Sequence, residues 1–159
     1  MELVQRILQH PKYKEYLKLN AEAEKDRKFC CHNLQHALDV ARVAYIISLE
    51  NSYNLSKEII YITALLHDIA KWKQYSEKTD HAEAGAVLAE GILRDIGVQD
   101  KDIEMIKDAI KNHRRKDEKV SDLNKVLYDA DKSCRICVEC EAINECKRFK
   151  DGKKPALFY

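Results

Sequence analysis

The run Ile59-Ile60-Tyr61-Ile62-Thr63-Ala64-Leu65-Leu66 ends in His67-Asp68, and no other stretch restricts the fold as tightly. A helix this apolar must be covered by other elements, so the His-Asp pair at its end belongs in or beside the interior. Helix packing gives no reason for an imidazole next to a carboxylate there. A metal ion does, because both groups are ligands that hold Fe, Mn, Zn or Mg for hydrolytic chemistry.

The surrounding chain reads as helical. Four Gly and two Pro in 159 residues favour helices over sheet, and the length suits one domain with a substantial core. The expected fold is a single all-α domain of about six to eight helices with a buried metal site. Residues 2–19 read as one or two short helices broken near Pro11, and residues 21–29 as a charged, exposed helical turn. Leu34, Ala37, Val40, Ala41, Ala44 and Ile47 recur at helical spacing over about 33–50. Ser56 is placed to cap the His67-Asp68 helix. The polar stretch from Lys71 to Thr79 reads as a loop. Asp80 with Glu83 resembles a capping box for an Ala-rich helix that ends before Gly97. Further helices are expected over about 100–113 and, after a Ser121 cap, over about 121–133. The chain divides into N-terminal helices (1–29), a metal-binding core (30–133) and a Cys-rich extension (134–159).

A formal net charge of +1 gives no global field that would attract nucleic acid or a membrane. No apolar run approaches the ~20 residues that span a bilayer. The opening Met1-Glu2-Leu3-Val4-Gln5-Arg6 lacks signal-peptide character. Six Cys without such a signal fit a reducing cytosol, where clustered thiols more often bind metal than form disulfides. The expectation is a cytoplasmic protein with neither a membrane nor a specific nucleic acid as partner. A homodimer stays open, because the apolar segment Ala156 to Tyr159 could pack on a second chain.

Four more groups sit where a helix or cap could aim them at His67-Asp68. His36 lies on the apolar stripe of its helix, and His81 directly follows the Asp80 cap. His113 closes the helix over 100–113, and Asp131 sits inside a packable run. Three or four such ligands satisfy one divalent ion, and six suffice for two. Each has a plainer reading: a hydrogen-bonded core imidazole for His36, a dipole complement for His113, an exposed ring for His81 and a surface carboxylate for Asp131. Together those readings leave the His67-Asp68 pair unexplained, since an unpaired buried carboxylate is costly. His32, four residues before His36, reads as an outer ligand, a substrate contact or, the favoured reading, an N-terminal helix residue.

The order His36, His67-Asp68, Asp131 resembles the H…HD…D pattern of the HD-domain superfamily of metal-dependent phosphohydrolases. His36-Ala37-Leu38-Asp39-Val40-Ala41-Arg42 is similar to its first-His helix. Ala64-Leu65-Leu66-His67-Asp68-Ile69-Ala70-Lys71 is similar to the signature helix, and Ala130-Asp131-Lys132 to the last-ligand segment. The resemblance covers about residues 30–133 and implies a metal ligated by His36, His67, Asp68 and Asp131. His81 and His113 resemble the extra histidines of two-metal members, of which small bacterial hydrolases of dinucleoside tetraphosphates are the nearest. It therefore implies one or two divalent ions (Fe, Mn, Co or Zn, with Mg as an alternative). The implied activity is cleavage of a nucleotide or other small phosphate ester or anhydride by metal-activated water. Asp68 is the expected proton acceptor as well as a ligand. Lys71, one turn after His67, is expected to act in catalysis and to neutralise phosphate charge. Arg114, in the basic run His113-Arg114-Arg115-Lys116, is the second expected phosphate contact.

Cys134, Cys137, Cys140 and Cys146 form C-x2-C-x2-C-x5-C, with Cys30 and Cys31 far away in sequence. Four thiolates close a zinc site or hold an iron–sulfur cluster. On a continuous helix the first three would instead be small core residues. The favoured set is Cys137, Cys140 and Cys146, completed by Cys30 or Cys134. A resemblance to small bacterial HD proteins with a thiol ahead of the first-His helix favours Cys30. Two alternatives to the phosphohydrolase stay open: a non-catalytic metal, nucleotide or redox sensor, and an HD-like di-iron oxygenase.

Overall fold

The structure, a computed structural model, describes residues 1–115, 120–150 and 153–159. Among these are eight α-helices and no strand. They are α1 (Glu2–Gln9), α2 (Pro11–Ala23), α3 (Leu34–Glu50), α4 (Lys57–Leu66), α5 (Lys71–Ser76), α6 (His81–Asp95), α7 (Asp100–Asn112) and α8 (Asp122–Ser133). Three short 3₁₀ turns follow, at Cys137–Glu139, Ile143–Glu145 and Lys147–Phe149. No helix among the described residues is long and apolar enough to cross a membrane.

The apolar run of α4 does what its composition requires. This helix packs against α1, α3, α6, α7 and α8, and Ile60, Ile62, Thr63, Ala64, Leu65 and Leu66 are all buried. One apolar cluster on its flank joins Ile62, Leu65 and Leu66 to Ile92, Leu93, Ile103, Ile106 and Ile110. A second joins Ile60 and Ala64 to Val40, Ala44, Val126 and Leu127. Each fully buried Leu, Ile or Val stabilises the fold by about 1.5–3 kcal/mol relative to exposure, so these two clusters fix α4 as the central element.

No Gly or Pro stops α4. The chain turns at His67–Ala70 because a distant side chain takes up its free backbone groups. Asn20, buried on α2, donates from Nδ2 to the Asp68 carbonyl (2.9 Å) and accepts from the Trp72 N–H (2.8 Å). A helix end leaves such groups without intrahelical partners, and Asn20 satisfies one on each side of the turn. It thereby ends α4 and starts α5.

The segment from Lys71, expected to be a loop, contains α5 over Lys71–Ser76. Its sequence is helix-competent, and contacts with α2 and α6 select the helix over the loop. The break near Pro11 separates α1 from α2, but α2 runs on to Ala23, past the expected end at residue 19, and Glu24, expected to be exposed, is buried. The expected caps at Asp80 and Ser121 form: Asp80 accepts from the Ala82 N–H, and Ser121 accepts from the Asn124 N–H. Ser56 is the N-cap of α4 by backbone geometry but makes no side-chain cap hydrogen bond.

Candidate metal centre

Five helix ends converge on Asp68. Asn33 caps α3 by accepting from the His36 N–H at 3.0 Å, which places His36 in the first turn. His67 lies at the end of α4, His81 in the first turn of α6, and His113 at the end of α7. Asp131 comes from the last turn of α8. All six side chains are buried.

Asp68 stands between two sets of imidazoles. Its Oδ2 lies 3.0 Å from His67 Nε2 and 3.8 Å from His36 Nε2. Its Oδ1 lies 3.1 Å from His81 Nε2 and 3.6 Å from His113 Nε2. On the first side, Asp131 Oδ1 is 3.3 Å from His36 Nε2 and 4.0 Å from His67 Nε2. His36, His67, Asp68 and Asp131 thus offer four donor atoms within 4.8 Å of one another, as do Asp68, His81 and His113 with three.

Three details make these sets suitable for cations. His67 Nδ1 donates to the Ala64 carbonyl (2.7 Å), and His113 Nδ1 donates to the Ile110 carbonyl (2.6 Å). With Nδ1 protonated, each ring presents the lone pair of Nε2 to the centre, the tautomer metal-binding histidines need. Second, His67 Nε2 and Asp68 Oδ1 have no hydrogen-bond partner despite their burial, and such orphaned atoms are costly unless something else binds them. Third, charge is set by proximity rather than exposure. Burial works against the Asp68 carboxylate, but the adjacent His67, His81 and His32 hold its pKa well below the ordinary range. Asp131 is held low in the same way, by His36 and His67. Burial lowers His113 to about 4 and also lowers His36 and His81. At His67 burial is outweighed by Asp68 and Asp131, which raise its pKa, so a cation bound there would displace a proton. The ionised carboxylates and the lowered His36, His81 and His113 are already in the states in which these groups ligate.

The centre opens into a cavity of ≈ 690 Å³. Arg27, Lys71, Arg114 and Lys132 line it, as do Arg135, Lys147, Arg148 and Lys150. Among the described residues, three carboxylates stand against these eight cations, Asp68, Asp131 and Glu145. Lys71 Nζ is 3.4 Å from His81 Nε2, and burial lowers its pKa. Arg114 Nη1 is 3.4 Å from His81 Nδ1 and 3.6 Å from Asp80. Lys116, the end of the basic run, lies outside the described residues.

His32 departs from expectation. It precedes the Asn33 cap, so it is not a helix residue, and its buried ring points into the centre with Nε2 3.7 Å from Asp68 Oδ2. Glu24 fixes it, accepting from the His32 backbone N–H (2.7 Å) and pairing with Nδ1 (2.5 Å), while Tyr75 donates its hydroxyl to the same carboxylate. Asn20, Glu24 and Arg135 were missed from sequence. Arg135 Nη2 lies 3.1 Å from His36 Nε2 and 3.5 Å from Asp131 Oδ1. Asn20 and Glu24 did leave a signal: with Tyr13 and Leu17 they fall at steps of four, three and four residues, polar groups on the stripe α2 turns inward.

Cys30, Cys137, Cys140 and Cys146 line the same cavity. Cys134 does not. It follows α8, with Sγ 3.8 Å from His36 Nδ1 and its body against the second apolar cluster.

An all-helical domain whose centre gathers histidines and aspartates from five helices defines a class, and similarity supplies the family. The HD domain profile matches residues 33–136, which takes in His36, His67, Asp68 and Asp131. The chain belongs to the HD domain family. HD domains bind divalent metals, and the buried His/Asp cluster is consistent with that. An uncharacterized protein of Clostridium beijerinckii is 44% identical over 153 residues, covering 96% of each chain. The crystal structure of a predicted HD superfamily hydrolase from an uncultured Thermotogales bacterium superposes with a TM-score of 0.59 at 32% identity. That match covers 75% of this chain and 66% of the other.

Proposed function

We propose that the protein is a metal-dependent phosphohydrolase that cleaves a nucleotide or another small phosphate ester or anhydride. The observation that carries the reading is Asp68, whose two oxygens face different ligand sets. His36, His67, Asp68 and Asp131 would hold one divalent ion, and Asp68, His81 and His113 a second. When bound, divalent ions polarise phosphoryl oxygens and acidify water.

The chain's own groups supply the rest. Lys71 and Arg114 flank the His81/His113 set and Arg135 flanks the His36/Asp131 set, so phosphoryl oxygens would meet cations on both sides. Asp68 Oδ1, without a hydrogen bond of its own, is placed to accept a proton. Phe29, Ile143 and Phe149 give the same cavity an apolar wall, which suits a nucleobase or similar flat group behind the phosphates. The excess of cations favours an anionic substrate over the uncharged organic substrates of a di-iron oxygenase.

The test is a panel of nucleotides and phosphate esters assayed with Mn, Fe, Co, Mg and Zn, with released phosphate as the readout. Turnover of at least one substrate, abolished by Asp68→Ala, is the expected result. Metal binding without turnover of any panel member would instead make the centre a sensor.

A further inference from the structure

We propose that Cys30, Cys137, Cys140 and Cys146 hold an iron–sulfur cluster in the wall of the cavity, apart from the His/Asp centre. This does not depend on the phosphohydrolase reading.

The segment after α8 has almost no core of its own. Among its described residues Ala142 is the buried apolar side chain, while Ile136 and Val138 are 62% and 50% exposed. It is tied to the body by polar contacts, the Lys28–Glu145 ion pair and Arg148 Nη1 donating to the Lys132 carbonyl (2.5 Å). Segments that bury so little are usually stapled by a disulfide or a metal, and all six cysteines are free thiols.

Local geometry brings three thiols to one side. Backbone hydrogen bonds run back three residues from Cys140 to Cys137, Ile143 to Cys140, Cys146 to Ile143 and Phe149 to Cys146. These three-residue turns are joined by extended backbone at Cys140 and Cys146, and Cys137, Cys140 and Cys146 all line the cavity. Cys30 reaches the same wall from the turn between α2 and α3, its carbonyl accepting from Arg27 Nε at 2.9 Å. Cys134, in phase by spacing alone, is instead held by α8 against His36, and burial pushes its thiol up to about 12.

Spacing points to a cluster rather than a single zinc ion, and the surrounding charge suits an anionic site. Zinc at ~2.3 Å from each sulfur brings tetrahedral thiolates within about 4 Å of each other. Among the described residues no three thiols lie within 4.8 Å of one another. A four-iron, four-sulfide cluster binds each of its four thiolates to a separate iron and so spans a wider frame. Such a site is anionic, and Arg148 and Arg135 act electrostatically on Cys137 and Cys30. The cluster would join the strap before His32 to the strap after Asp131, and so clamp the two sides of the cavity.

The test is iron, zinc and acid-labile sulfide analysis, with visible absorption, on full-length protein purified anaerobically and reconstituted with iron and sulfide. Iron and sulfide are expected in equal amounts beyond any iron in the His/Asp centre. Both should persist in Asp68→Ala and be lost from Cys137→Ser and from Cys30→Ser, but not from Cys134→Ser. The His/Asp centre contains no sulfide, so the wild-type measurement decides the matter even if a Cys variant fails to fold. Absence of sulfide, or one zinc ion per chain that Cys137→Ser releases, would overturn the proposal. Loss of the cluster in Cys134→Ser with retention in Cys30→Ser would overturn the ligand assignment.

Discussion

Asp68→Asn tests the shared carboxylate directly. The substitution keeps the side chain's size but removes its charge and replaces one ligating oxygen with a poorly coordinating amide nitrogen. His36, His67 and Asp131 then remain as one three-ligand set, while His81 and His113 are left as a pair. Three protein ligands hold a divalent ion and two hold it poorly, so the protein should go from two ions per chain to one. With free ion at 100 times the dissociation constant, each occupied site stabilises the folded state by about 2.7 kcal/mol. For a domain of this size each kcal/mol raises Tm by roughly 2–4 °C. Each site is therefore worth about 5–11 °C, and Mn should raise the Tm of the wild-type protein by about twice as much as that of Asp68→Asn. Equilibrium dialysis with elemental analysis gives the stoichiometry, and thermal melts with and without Mn give the shift. His81→Ala is the companion: it should also bind one ion, but more tightly, because its remaining set keeps all four ligands. An Asp68→Asn protein that still binds two ions and gains the full shift would refute the idea that Asp68 joins two sites. So would a wild-type protein that binds only one.

Asn20→Ala leaves the Asp68 carbonyl and the Trp72 N–H without their partner, and should cost about 1–3 kcal/mol in urea unfolding; Asn20→Asp, which lacks the donor, should cost at least as much. A Cβ added at Gly85 meets the His67 carbonyl oxygen and Ile110 Cγ2 at 3.5 Å, an ordinary contact. Gly85→Ala should thus stabilise α6 by about 0.5–1 kcal/mol, whereas Gly97→Ala, at φ +80°, should destabilise by about 1–2 kcal/mol in the same assay. Lys71→Met and Arg114→Met should each lower kcat/KM for the best phosphate substrate by about tenfold, the value of one partly screened charge-assisted hydrogen bond. Unchanged kinetics in both would remove these side chains from the phosphate site.

The parts of this molecule that were legible from sequence share a property: each is a local pattern whose burial leaves one outcome. Once Ile59–Leu66 must be covered, His67-Asp68 is interior, and ligands that can reach it sit at helix ends marked by Asp80 or by the close of α7. The parts that were not legible depend on contacts between distant elements. Nothing within Lys71–Ser76 specifies a helix; Asn20, more than fifty residues earlier, supplies the acceptor that starts it. His32 reads as a helix residue because it lies four before His36, yet the Asn33 cap starts α3 after it and leaves the ring free to turn toward Asp68.

The cysteines show how an assumed period decides what a spacing means. On an α-helix, at about 100° per residue, the nine-residue step from Cys137 to Cys146 turns the chain by about 180°, to opposite faces. That reading makes the thiols look like scattered core residues. The tail is instead a succession of three-residue turns joined by extended backbone at Cys140 and Cys146, and residues 137, 140, 143, 146 and 149 all line one cavity. Every interval in the run from Cys134 is a multiple of three, so the sequence contained this alternative. It fails only at Cys134, where α8 still imposes its own period and turns the thiol toward His36. The boundary between the two periods therefore selects which four of the six thiols can meet, and it falls between Asp131, a proposed ligand of the His/Asp centre, and Cys137, the first tail thiol of the proposed cluster.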